Sequence, residues 1–343
     1  MSNPRRIVAY SDLLGFSDLA VKDPEAAEKL LSEFYNYAQN IKVQNSYEEL
    51  ELFLFSDFLF VQGDRVEQVV NYMCQVYRKA LRHSENSEVP MLIRGGVARG
   101  GVLTQDRREA PQVTKNFIVS PALTHAVKME SLVKGQRLLV SAKEREEIEH
   151  FWNPEMNTIC YDQPSIKPSP LFRKYRYQDL LWARDLSLSR AQSREETMKH
   201  LEIAERLYRE NIEKKKEVVA HYAETLRICL LSYSSLLEAC EEDREFVSRF
   251  VYQTLIEYPH PSVWLGLLEC VLLSKDAFAF HIEPAMASFL SHAVMSKHWG
   301  EVSSALAQDE HAQLSKAVEE FVSVAIPKHS CRFIAAVSLR ENR

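Results

Sequence analysis

Leu50-Glu51-Leu52-Phe53-Leu54-Phe55-Ser56-Asp57-Phe58-Leu59-Phe60-Val61-Gln62 decides the fold. Leu50, Leu52 and Leu54 alternate with Glu51, Phe53 and Phe55, and Phe58–Val61 continues as strand. The spacing predicts a β-hairpin over residues 50–62 that turns at Ser56-Asp57. Before it, residues 24–41 carry Ala27, Leu30, Leu31, Phe34, Ala38 and Ile41 at helical spacing. Earlier still, Ile7–Tyr10 is a short apolar strand that ends at Ser11-Asp12. After the hairpin, residues 65–82 are helical, with Val66, Val69, Val70, Met73, Tyr77, Ala80 and Leu81 on one side. Met91–Ala98 is a strand that runs into Arg99-Gly100-Gly101, residues 121–133 form a helix, and Arg137–Ser141 is a strand. The order β-α-β-β-α-β, with further elements after it, predicts a ferredoxin-like α+β layout.

Glycine separates this part from the rest. Seven of the nine glycines lie in the first 135 residues, where tight turns and close backbone approaches are needed. Residues 152–175 are irregular and carry Pro154, Pro164, Pro168 and Pro170. From Gln178 onward the pattern is helical, with segments near 195–213, 215–239, 243–257, 262–274, 283–297 and 310–325. No consistent repeat period joins them. The expected division is an α+β domain over residues 1–185 and an all-α domain over residues 186–343.

Composition excludes several functions. The chain has 343 residues, 46% hydrophobic and 26% charged, enough to bury a core. The net charge of −6 argues against a protein held to nucleic acid by bulk charge, because that binding needs a basic face to displace counterions. No run of 18 apolar residues marks a membrane span. The first ten residues lack the apolar core of a signal peptide. Cys74, Cys160, Cys229, Cys240, Cys270 and Cys331 form no CxxC pair, which fits reduced thiols in a cytoplasmic protein.

Four segments carry groups suited to chemistry. In Ala9-Tyr10-Ser11-Asp12-Leu13-Leu14-Gly15-Phe16-Ser17, a carboxylate ends a strand before an open turn. The strand fixes the carboxylate for a metal, and free N–H groups of the turn suit phosphate. An Asp at a strand end also serves as plain turn chemistry or a helix cap. Asp57 sits at the hairpin tip. If its strand neighbours the first one, Asp12 and Asp57 meet at one sheet edge and suit a two-metal site. Ile93-Arg94-Gly95-Gly96-Val97-Ala98-Arg99-Gly100-Gly101 combines close-approach glycines with guanidinium donors for phosphate. In Leu123-Thr124-His125-Ala126-Val127-Lys128-Met129-Glu130-Ser131, Thr124 and Lys128 are four apart and share a helix face, although a helix-surface Lys is ordinarily just solvated. His125 reads as a packing or surface residue. There is no HExxH, Walker A or GxSxG segment.

Taken together, in this order and spacing, the four segments resemble the class III nucleotidyl cyclases over roughly residues 5–182. The family's first metal motif, Asp-x-x-Gly-Phe-Ser/Thr, is matched by Asp12-Leu13-Leu14-Gly15-Phe16-Ser17, and its second metal Asp by Asp57. Its Arg-x-Gly strand resembles Arg94–Gly100, and its Asn-x-x-x-Arg-Met/Leu-Glu-Ser helix resembles Thr124 to Ser131. The family's Asn is here Thr124 and its transition-state Arg is Lys128, which keeps the charge but loses the bidentate fork. The two base-reading positions fall on Phe53 and Phe117, so neither the adenine-reading nor the guanine-reading pair is present. This chain looks more like the pyrimidine cyclases of Pycsar antiphage systems than like a housekeeping adenylyl cyclase.

The resemblance implies a class III cyclase domain followed by a regulatory or interaction domain of helices. It implies that Asp12, Asp57 and the main-chain carbonyl of Leu13 hold two divalent ions, Mn²⁺ or Mg²⁺. Leu14, Gly15 and Phe16 would cradle the β- and γ-phosphates, with Arg99 adding charge. Lys128, with Thr124, would stabilise the α-phosphate from the opposite subunit of a homodimer. The implied reaction turns a nucleoside triphosphate, UTP or CTP, into a 3′,5′-cyclic nucleotide and pyrophosphate. Two other readings stay open at this point: a catalytically silent cyclase-like module, and a purine cyclase with unusual base readers.

Overall fold

The computed structural model describes residues 5–110, 113–132, 134–141, 177–185 and 187–236, with Glu245, Arg249, His260 and Val263 beyond them. They fall into two compact units that part between Trp182 and Ala183. The irregular stretch expected over residues 152–175 and the helices expected after residue 239 lie outside the described residues.

The first unit runs β1 (Arg5–Leu13), α1 (Phe16–Lys22), α2 (Pro24–Gln44), β2 (Glu51–Phe55), β3 (Phe58–Gly63), α3 (Val66–His83), β4 (Ile93–Gly101), β5 (Leu103–Ala110), β6 (Val113–Val119), α4 (Pro121–Leu132), β7 (Leu138–Ser141) and β8 (Tyr177–Asp179). Six strands form one sheet in the order β2-β3-β1-β4-β7-β8, and β5 and β6 pair separately. The first four strands are antiparallel neighbours in the order β2-β3-β1-β4. That is the ferredoxin-like core the sequence predicts. The hairpin turns at Ser56-Asp57, with Ser56 at φ 52°. Two strands run further than expected at their C-terminal ends. Strand β1 extends through Ser11 and Asp12 to Leu13, and β4 runs through Arg99 to Gly101, because ladder pairing from Arg5↔Gly101 to Leu13↔Ile93 continues past the apolar residues.

Central strand β1 is covered on both sides. Helix α3 packs against β1 and β3, and α4 packs against β1, β4 and β7. On the α4 side, Val8, Phe60, Ala98, Val102, Ala122, Ala126, Met129 and Leu139 form one apolar cluster. On the other side the buried apolar residues of α3, among them Val69, Val70 and Met73, are joined by a buried polar network. The Ser11 and Tyr77 hydroxyls share a hydrogen bond of 2.9 Å, and Tyr77 donates to the Arg137 carbonyl at 3.2 Å. Arg137 grips Asp179 with two hydrogen bonds of 2.7 and 2.6 Å, both residues being buried. Trp182 Nε1 donates to the Gln136 carbonyl at 2.9 Å, and Gln136 donates to the Tyr77 carbonyl. These bonds match the buried Arg137, Asp179 and Tyr77 groups, as a low-dielectric interior demands.

The second unit contains α5 (Arg190–Asn211) and α6 (Lys216–Ser234). Ser189 opens α5 with a capping box completed by Gln192. Every residue of α6 from Thr225 to Ser234 is buried, so that half of the helix is covered all round. This described part of the C-terminal region is helical, as expected. Among the described residues no helix is long and apolar enough to cross a membrane, and Cys74 and Cys229 are buried thiols outside any disulfide.

Candidate active site

Strand alternation decides which side chains meet. Ser11 faces α3, where it meets Tyr77. Its even-numbered neighbours Val8, Tyr10 and Asp12 therefore face α4, and Val8 and Tyr10 pack in or against the α4-side cluster. The ladders carry this parity across the sheet. Asp12 lies opposite Phe58 on β3 and Arg94 on β4, and Tyr10 lies opposite Phe60 and Gly96. Phe53 on β2 lies opposite Phe60, with the two rings 5.2 Å apart. Tyr10 and Phe58 rings are 5.4 Å apart. Asp12 thus stands at the end of an aromatic floor that includes the expected base-reading residue Phe53.

The hairpin brings the second carboxylate. The Leu13 N–H donates to the Asp57 carbonyl at 2.9 Å, and Tyr35 donates to the Ser56 carbonyl at 2.8 Å. These bonds fix the turn beside the end of β1. Burial, then the Asp57 charge, then the Glu130 charge push the Asp12 carboxyl up to about 7, while Arg94 draws it back. Burial, followed by the charges of Asp12, Glu130 and Asp57, raises the Tyr10 phenol. The structure therefore brings Asp12 and Asp57 together as a like-charged pair at one sheet edge.

The sequence offers Arg94 only as a guanidinium donor for phosphate and gives Glu130 no role. Arg94 forms an ion pair with Glu130 on α4, and Glu130 is only 7% exposed. Burial raises the Glu130 carboxyl and Arg94 lowers it. The signal was available: Ala122, Ala126 and Glu130 are spaced by four, so the buried face of α4 includes a carboxylate.

Arg99 lies opposite Ile7, five residues along β4 from Arg94, about 16 Å at strand rise, and on the opposite sheet face by parity. Within one chain it is Arg94, not Arg99, that stands beside Asp12. Gly15 adopts φ +75°, where only glycine is unstrained, and opens α1 without a side-chain cap. Leu14 and Phe16 flank it, and Asp18 puts a negative charge in the first turn. Thr124 is exposed on α4, and its hydroxyl donates to the Ser120 carbonyl at 3.2 Å. Lys128 is half-buried, and its charge, after burial, lowers the neighbouring His125. The charges acting on Asp12 are those of Asp57, Glu130 and Arg94. Phe117 lies on β6 opposite Gln105.

The donor chemistry fits a hard divalent ion. Mg²⁺ and Mn²⁺ take oxygen ligands, and Mg²⁺ is commonly held by one or two carboxylates together with substrate phosphates. Asp12 and Asp57 supply such a pair. Among the described residues no group of three or more His, Cys, Asp or Glu side chains forms a closed metal cage. A separate cleft of about 770 Å³ lies between α2 and the end of α3. It mixes Lys29, Lys79 and Arg82 with Glu33, Glu85 and Glu88, so its charges point to no single ligand class.

Comparison with known proteins places the chain among distant structures only. No protein-family model matches it, and no curated protein does. It is similar to the crystal structure of the guanylyl cyclase Cya2, at 16% identity and a TM-score of 0.41, over 52% of this chain and 93% of that one. It is also similar to the adenylyl cyclase CyaB from P. aeruginosa, at 18% identity and a TM-score of 0.41, over 55% of this chain and 100% of that one. A third is the guanylate cyclase domain of RhGC from Catenaria anguillulae in complex with GTP, at 13% identity and a TM-score of 0.41, over 52% of this chain and 97% of that one.

Proposed function

We propose that this chain is a cytoplasmic nucleotidyl cyclase that converts a nucleoside triphosphate into a 3′,5′-cyclic nucleotide and pyrophosphate. One observation carries the reading: Asp12 and Asp57 stand together at the end of adjacent elements, with the Asp12 carboxyl pushed up to about 7 by burial and by its partner's charge. Like charges held this close in a half-buried place favour a cation between them. Asp12, Asp57 and the Leu13 carbonyl would hold two divalent ions, Mn²⁺ or Mg²⁺. Such ions, when bound, lower the pKa of the ribose 3′-hydroxyl and neutralise triphosphate charge.

The chain's own residues supply the rest. Gly15 opens the turn so that backbone N–H groups of Leu14–Phe16 can approach the terminal phosphates. Lys128 places a cation for the charge that builds at the α-phosphate. Each site would be shared across a head-to-tail homodimer, with Lys128 and Thr124 facing the carboxylates of the other subunit. The helical unit would regulate the catalytic one or bind a partner.

Base choice follows from Phe53 and Phe117. An aromatic pair offers stacking and shape but no hydrogen-bonding partner for a purine edge, which would be desolvated without compensation. A pyrimidine triphosphate is therefore favoured, UTP before CTP, and a cyclic pyrimidine nucleotide suits a signal in antiphage defence. The test is Mn²⁺ with each of the four triphosphates, reading pyrophosphate release and the cyclic product. Turnover of ATP or GTP as fast as both pyrimidine nucleotides refutes the base assignment. Absence of turnover with all four favours a silent nucleotide-binding module, a reading supported by the engagement of Thr124 within its own helix.

A further inference from the structure

The position of Arg94 poses a physical problem for any cation bound at Asp12. On the β1–β4 ladder Arg94 is the direct cross-strand neighbour of Asp12, on the same sheet face. Cross-strand neighbours have Cβ atoms about 5 Å apart, within easy reach of a guanidinium. An arginine so placed is a built-in monovalent competitor for the carboxylate. In this structure the guanidinium is instead taken by Glu130, which comes from α4 and is almost fully buried.

Charge counting shows what this pairing does. Arg94 and Glu130 cancel, leaving Asp12 and Asp57 with two negative charges, which the first divalent ion to bind neutralises before any nucleotide brings charge for a second. Without the Glu130 charge, the site would hold two carboxylates and an arginine, and a divalent ion would leave it with a surplus positive charge. In a partly desolvated site that surplus opposes binding strongly.

We infer that Glu130 is a positioning residue for the metal site: it holds the Arg94 guanidinium on α4 and so keeps Asp12 open to a divalent cation. This rests on the proposed reading of Asp12 and Asp57 as metal ligands. It also assigns α4 a task within its own chain, separate from the task of Lys128 across a dimer.

The test uses the full chain and Mn²⁺ alone, without nucleotide, following loss of the free-ion signal by electron paramagnetic resonance. Asp12→Asn sets the baseline for binding at this site. Glu130→Gln should weaken Mn²⁺ binding by about tenfold or more, the usual effect of removing a residue that orients a metal ligand. The double variant Glu130→Gln with Arg94→Met should return to within about threefold of wild type, because the competitor is gone. Arg94→Met alone should bind Mn²⁺ at least as tightly as wild type, a result that stands even if Glu130→Gln fails to fold. A merely structural ion pair predicts the reverse: the double variant no better than the single, and Arg94→Met weaker than wild type. Either of those results overturns the inference. If wild-type protein shows no Asp12-dependent binding, the metal reading itself falls and this inference with it. Normal wild-type binding with an unaffected Glu130→Gln removes the inference alone.

Discussion

The main-chain N–H of Leu13 donates to the main-chain carbonyl of Asp57 at 2.9 Å. The two carboxylate-bearing segments are therefore joined through backbone atoms, and the Asp57 side chain is not needed for the joint. Asp57→Ala should keep the fold and its melting temperature while lowering cyclic nucleotide formation by more than about a hundredfold. Asp12→Asn should do the same. Pyrophosphate release measured beside a thermal melt checks both, and wild-type rates in either variant remove the two-metal assignment.

The Asp12 carboxyl gives a pH dependence with a definite sign. It titrates at about 7 in the folded chain and near 4 when unfolded. A raised carboxyl favours the folded state while protonated; the benefit is complete below about pH 4 and is lost as pH rises through about 7. In chelator, Asp12→Asn should therefore match wild type at about pH 4 and exceed it at pH 8. Partial exposure limits the gain to about 1 kcal/mol, or a few degrees in Tm. Adding Mn²⁺ should erase the advantage at pH 8 by stabilising the ionised wild-type carboxylate. A gain in Tm that is the same at both pH values contradicts this account.

Gly96 is held by space rather than by backbone angle. A Cβ there would lie 2.7 Å from Met129 Cβ and 2.9 Å from the Ala126 carbonyl, both on α4. Gly96→Ala should push α4 from the sheet, cost about 1–3 kcal/mol and reduce activity. Gly15→Ala is the contrast. Nothing lies within 4 Å of its Cβ, but φ is +75°, so the cost is backbone strain of about 1–2 kcal/mol. Denaturant midpoints compare the two. A neutral Gly96→Ala would mean that α4 yields at no cost.

Lys128 tests the shared site. Lys128→Ala should cost about 3 kcal/mol of transition-state stabilisation, on the order of a hundredfold in rate, with little change in metal affinity. Mixing Asp57→Ala chains with Lys128→Ala chains should then restore activity, because a mixed dimer regains one complete site. No recovery despite demonstrated subunit exchange would show that the site is not shared between subunits.

Much of this was legible where side-chain periodicity and core burial coincide. The phenylalanine-rich hairpin announced itself, and the neighbouring of β1 and β3 brought Asp12 to Asp57 as anticipated. The β5–β6 pair was not anticipated, because Gln105, Asp106, Arg107, Arg108 and Glu109 show no apolar alternation; that ladder is held by backbone bonds. The Arg94–Glu130 pair escaped for a different reason. Each residue has an ordinary surface composition, and only the sheet register together with the face of α4 shows that they meet. Arg99 is given to the phosphates by the family resemblance; along β4 it stands five residues from Arg94 and opposite Ile7, a separation that only the strand register makes visible.

The bidentate grip of Arg137 on Asp179 bears on how this protein is made by the ribosome. Arg137 directly precedes β7, which pairs with β4, whereas its carboxylate partner Asp179 ends β8, 42 residues further along the chain. Removing one partner of a buried ion pair costs about 3–5 kcal/mol. The first unit is thus completed from its far end. A chain that stops before Asp179 would carry Asp12, Asp57 and the whole of α4, but it would lack the carboxylate that answers the buried Arg137.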